Sequence, residues 1–119
     1  MQTVLMTPTF ERSATRAGLS DFQIQDIAAT LASNPTAGVL MVGTGGLRKL
    51  RFARDGKGKS GGFRTLHYYA GDDIPISLLD LIDKSESSNL SKAARNAIAK
   101  ALPLLVSDYR NSKSGVPND

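Results

Sequence analysis

Apolar positions begin the chain as a short cluster, and Gln2–Met6 reads as a strand. Pro8 then falls at a helix-start position, so Thr9–Ala17 reads as a short helix closed by Gly18. Ser20 and Gln23 have capping-box spacing, with Asp21 in the first turn. Phe22, Ile24, Ile27, Ala28 and Leu31 then recur as a largely apolar helix face through Ser33. Asn34-Pro35 ends it, because a residue before proline is pushed out of the helical region.

Gly43, Gly45 and Gly46 mark a turn, after which the period changes to two. In Leu47–Arg54, Leu50 and Phe52 share a face with Arg48 and Arg54, while Lys49, Arg51 and Ala53 take the other. Phe63–Ala70 reads as the returning strand. Gly71-Asp72-Asp73 is a hairpin turn, and Ile74–Ile82 is a third strand with Pro75 near its start. Ser91 is a candidate N-cap for a last helix, in which Leu90, Ala94, Ala97, Ile98, Ala101, Leu102 and Leu105 recur at helical spacing. Pro103 is expected to kink or end that helix, since its ring removes one hydrogen bond and crowds the preceding turn. The order β-α-α-β-β-β-α predicts an α+β fold: a mainly antiparallel sheet, two N-terminal helices and a C-terminal helix. Residues 1–110 form one domain in this reading, and 111–119 a disordered polar tail.

Composition narrows the chemistry. The chain has no Cys and one His, so neither a thiolate nor a multi-histidine metal site is expected, and no cofactor. No apolar run has membrane-spanning length, and the first residues lack the pattern of a signal peptide, so a cytoplasmic protein without membrane contact is expected. The net charge of +4 is unevenly spread. Between Leu47 and Arg64 stand seven cations (Arg48, Lys49, Arg51, Arg54, Lys57, Lys59, Arg64) and one anion (Asp55), a block of net +6. The rest of the chain is net negative, so the block reads as a face for a polyanion.

The segment RDGKGKSGGFR (Arg54–Arg64) looks at first like a phosphate-binding loop. The Walker pattern GxxxxGK[ST] would need glycine at position 53, which is Ala53, and a helix afterwards, where a strand is expected. The segment reads instead as a loop joining two strands, with Lys57 and Lys59 reaching outward and Arg64 starting the return strand, aimed at phosphate. The alternative for Arg64 is a structural ion pair with Asp80 or Asp83.

GTGGLRKLRFARDGKGKSGGFRTLHYY, followed by LLDLIDKSESSNL and a C-terminal helix, resembles the RelE superfamily of bacterial toxins over about residues 1–108. It is most similar to the HigB-like branch, with its G-x-G-G-L-R-K-x-R and G-K-G-K-x-G-G-x-R patterns. The resemblance implies a ribosome-dependent endoribonuclease that cuts mRNA in the A site by attack of a ribose 2′-OH. It also implies a restraining antitoxin, commonly a helix-turn-helix protein in this branch, with operator DNA reached only through that antitoxin.

The same resemblance suggests roles. Arg64 matches the family arginine and would stabilise charge in the transition state. Lys57 and Lys59 match the loop lysines that contact phosphate, one of them a candidate base. Arg48, Lys49 and Arg51, with Arg54 beside them, would contact ribosomal RNA or message. Lys84 and Glu86 match a K-x-E at the end of the last strand; Lys84 would protonate or hold phosphate, and Glu86 would act as base or orient Lys84. Some relatives carry an arginine after the Lys84 position and a tyrosine at the start of the last helix, where this chain has Ser85 and Ser91. That leaves the general acid unassigned. Tyr68 alternates onto the face of Arg64, as a stacking group, a proton donor or a core residue. His67 points the other way and reads as structural. A ParE-like gyrase inhibitor and a non-catalytic RNA-binding module are the competing readings.

Overall fold

One mixed sheet carries the fold, in the strand order β1-β5-β4-β3-β2. The elements run β1 (Val4–Met6), α1 (Pro8–Ala17), α2 (Asp21–Ser33), β2 (Val39–Leu40), β3 (Leu47–Arg54), β4 (Gly58–Tyr68), β5 (Ile76–Asp83) and α3 (Lys92–Lys113). The computed structural model describes residues 2–54, 58–83 and 90–113, and only the backbone at 54, 58–61, 83 and 113. The architecture is the α+β fold expected, with helices at both ends of the chain.

Local chemistry fixes the first two helices. Thr7 caps α1 by accepting from the Phe10 amide, Pro8 opens its first turn, and Gly18 closes it in the left-handed conformation. Ser20 and Gln23 form the full capping box of α2. Both helices cover one sheet face, where Phe10, Ala14, Ile27 and Leu31 pack on Phe63, Ile76, Leu78 and Leu81. α3 covers part of the opposite face, where Met41, Leu47, Leu66, Ile82 and Leu102 form a second cluster. Burial of these apolar side chains is the main stabilising term on both faces.

The structure departs from sequence expectation at five places. Phe22, placed on the apolar face of α2, is 79% exposed; the buried stripe of the helix is Ile27 and Leu31. The helix α3 continues through Pro103 for ten more residues, to Lys113. Contacts on both sides of the proline hold it: Leu102 is buried in the second cluster, and Leu105, Val106 and Tyr109 line a cleft against Leu5 and Pro75. The helix thus reaches three residues into the segment expected to be a tail, while 114–119 lie outside the described residues. β4 starts at Gly58, where the ladder pairs Arg54 with Gly58, so Lys59 belongs to a strand and Arg64 sits well inside it. Finally, β1 lies parallel to β5, and a two-residue β2 forms the opposite edge.

Candidate nucleic-acid interface

Register decides which cations meet. Across β3 and β4 the ladder pairs Leu47 with Tyr68, Lys49 with Leu66, and Arg51 with Arg64. Leu47, Leu66 and Tyr68 belong to the cluster under α3, so Lys49, Arg51 and Arg64 share that face. α3 crosses it at one end only. Ala99 lies against Gly45, Ile98 and Leu102 pack over Leu47 and Leu66, and Tyr109 shares a cleft with Tyr68. Arg51 and Arg64 occupy the other end, Arg51 exposed and Arg64 half-buried.

Directly opposed residues have Cβ atoms about 4.5–5.5 Å apart, and like charges there repel. Neither guanidinium has a hydrogen-bond or ion-pair partner among the described residues. Asp80 is unavailable to Arg64, because its Oδ1 accepts from the Ser13 hydroxyl on α1 at 2.7 Å and from the Leu81 amide at 2.7 Å. Arg64 itself pairs with Ile82, and the β4–β5 ladder is interrupted by a register shift further along, between Leu66 and His67, next to Asp80. The Asp83 side chain lies outside the description. Two opposed guanidiniums, with no partner among the described residues and held by neighbouring strands, form a site for an anion with several oxygens.

The remaining candidates divide. Arg48 is on the reverse face, where its Nη1 donates to the Thr36 carbonyl at 2.8 Å. His67, its cross-strand partner, is fully buried there, and its Nε2–H donates to the Pro35 carbonyl at 3.1 Å. The other ring nitrogen, Nδ1, is buried without a partner among the described residues. Burial holds the His67 pKa below its ordinary 6.5, opposed by the Pro35 hydrogen bond and assisted by the Arg48 charge. These two side chains fasten the loop after α2 to the sheet. Tyr68 shares the face of Arg64 but stands four residues along the strand, about 13 Å away at ordinary strand rise. Its ring meets Gly46 and the cleft under α3, so it is placed as a packing residue. Lys57, Lys84 and Glu86 lie outside the described residues, as do the side chains of Lys59 and Arg54.

The glycine half of the motif has a role that sequence reading missed. Gly43–Gly46 is the seat of α3. The fully buried Thr44 hydroxyl donates to the Met41 carbonyl at 2.7 Å and accepts from the Leu47 amide at 3.0 Å. Arg95 of α3 donates to the carbonyls of Leu90 and Val42. At Gly46, with φ of 127°, a Cβ would stand 3.0 Å from the Tyr68 ring; at Gly45 it would stand 3.4 Å from the Ala99 backbone. The signal was the close spacing of three glycines around a threonine, but only the docked helix explains it.

A family model for the RelE toxin of the RelE/RelB toxin-antitoxin system matches residues 2–111. The chain belongs to the RelE toxin family. The match spans every element from β1 into the last turns of α3. Membership of a toxin-antitoxin family implies an antitoxin partner for this RelE-family chain. Among its described residues, no helix is long and apolar enough to cross a membrane.

Proposed function

We propose that this RelE-family toxin is a ribosome-dependent endoribonuclease of the HigB-like kind, cleaving mRNA in the A site. The observation that carries the reading is the opposed pair Arg51–Arg64 on the part of the sheet that α3 leaves open. A ribose 2′-OH attacks the adjacent phosphorus, the 2′-proton passes to a base, and the 5′-oxygen leaves with a proton from an acid. The products are a 2′,3′-cyclic phosphate and a 5′-hydroxyl end. Arg64 stabilises the negative charge that grows on the non-bridging oxygens, its guanidinium remaining charged at any working pH. Arg51 binds the same or the neighbouring phosphate, and Lys49 extends the track along β3.

Base and acid are drawn from Lys57, Lys59, Lys84 and Glu86, with Lys59 following Gly58 at the start of β4. A lysine among other cations has its pKa lowered, which suits it to proton transfer. Tyr68 enters this reading only as a packing residue. Arg48 supports the sheet from behind, and Arg54 continues the basic strand towards RNA. The partners are the ribosome with its message and an antitoxin of the helix-turn-helix type, through which operator DNA is reached; the compartment is the cytoplasm.

In vitro translation followed by primer extension on the message tests the proposal. Cleavage that appears only with ribosomes, and is lost in Arg64→Ala, is the expected result. Inhibition of gyrase supercoiling without message cleavage would replace it with the ParE-like reading. RNA binding with neither effect would leave a non-catalytic module.

A further inference from the structure

Phe22 stands on the rim of a shallow groove between α2 and the far end of β3 and β4. Leu19, Ile27, Phe52 and Phe63 line that groove, and Asp26 borders it. A single exposed aromatic is ordinary on a protein surface. Here the ring, 79% exposed, adjoins the side chains of the main core cluster through an open groove.

The α2 wall of the groove has a charge opposite to that of the chain. α2 carries Asp21 and Asp26, both exposed, and neither Lys nor Arg, whereas the protein as a whole is net +4. The groove lies on the reverse face of the strands that hold Arg51 and Arg64. The two carboxylates disfavour a polyanion along this wall and favour a cationic partner. The complementary ligand is a polypeptide that offers an apolar anchor to Phe22 and a cation to Asp26.

We infer that this groove is a docking site for the cognate antitoxin, which inserts a bulky apolar side chain beside Phe22 from a segment that also carries lysine or arginine. The antitoxin is the partner of the resting state, so it is the partner that keeps the ring covered for most of the life of the toxin. Aromatic residues in desolvated pockets are the usual anchors of such interfaces, and rim charges of opposite sign speed their assembly. The inference rests on family membership and not on the cleavage chemistry.

The test measures binding of the antitoxin to full-length toxin by surface plasmon resonance, with Arg64→Ala as the common background so that the toxin is tolerated during expression. Phe22→Ser, at an exposed position, should keep the circular dichroism spectrum and weaken antitoxin binding by about tenfold or more, the usual scale for truncating an aromatic anchor. Asp26→Lys should slow association at low salt, with the difference shrinking at high salt. Parent affinity in a folded Phe22→Ser variant would overturn the proposal. So would faster association in Asp26→Lys, which would mean that the covering surface is acidic. A Phe22→Ser variant that loses RNA binding yet keeps antitoxin affinity would also overturn it, and would assign the ring to nucleic acid.

Discussion

Arg51 and Arg64 face each other across β3 and β4, two like charges in direct register on the sheet face that α3 covers only in part. The arrangement works against the fold and in favour of an anionic ligand. Stability and activity should therefore respond to these residues in opposite directions.

Arg64→Ala should lower ribosome-dependent cleavage by about 10²–10³, the usual cost of removing one preorganised donor. Arg64→Lys should recover only part of that loss, because an ammonium does not reproduce the planar fork. Single-turnover cleavage, with circular dichroism as the folding control, measures both. A folded Arg64→Ala protein that cuts at the parent rate would move the catalytic centre elsewhere.

Arg51→Gln should leave thermal stability unchanged or raise it, by no more than about 1 kcal/mol, since a repulsive cross-strand pair is relieved. The same change should weaken RNA binding. Denaturant melts and RNA titrations on one preparation compare the two effects. A large loss of stability would show that the Arg51 side chain is held by attractive contacts.

Free toxin should bind single-stranded RNA with strong salt dependence. Three phosphate contacts, from Lys49, Arg51 and Arg64, give a slope of about −2 in log K against log salt. A flat titration would remove the basic face from the account.

His67 should make stability depend on pH. Its folded pKa lies below the ordinary 6.5, so the unfolded chain binds the proton more readily. The stabilisation is fully present above about pH 6.5 and declines as pH falls from there through the folded pKa. His67→Gln keeps a donor for the Pro35 carbonyl and removes the titration. Melting temperatures between pH 5 and 7.5 should slope less in the variant than in the parent; equal slopes would place the pH dependence on other groups.

The seat of α3 should be sensitive to small changes. Gly46→Ala introduces a Cβ at a positive φ against the Tyr68 ring, a strain of about 1–3 kcal/mol. Thr44→Val strands the Met41 carbonyl and the Leu47 amide, at about 1–3 kcal/mol for each buried group left unpaired. Chemical denaturation measures both, and native-like stability in the double variant would show that α3 does not depend on this turn.

Much of the fold was legible because it rests on local rules. Pro8 opens α1 where a missing amide hydrogen costs little, Ser20 with Gln23 and Ser91 satisfy helix amides within a few residues, and Ser91 caps α3 by accepting from the Ala94 amide at 3.1 Å. Period-two alternation placed Leu47–Arg54 in a strand with the observed bounds and set Arg64 and Tyr68 on one face. The cationic block between Leu47 and Arg64 needed only counting.

What remained depends on partners far away in the chain. Alternation gives the face of a residue but not its register, so the pairing of Arg51 with Arg64 appears only once β3 and β4 are aligned. The parallel docking of β1 on β5 is fixed by contacts about 70 residues apart, such as the Gln2 amide with the Gly71 and Ile74 carbonyls. Pro103 obeys the helix-breaking rule as a local tendency, yet packing on both sides of it carries α3 through. Phe22 keeps the helical spacing of a core residue, but α2 turns Ile27 and Leu31 onto the sheet and leaves Phe22 at its rim. The sequence by itself determined which segments become helix or strand, because capping and periodicity act over a few residues. The tertiary structure alone decided which cations oppose one another, which glycines seat a helix and which aromatic faces solvent, because those outcomes depend on how distant segments pack.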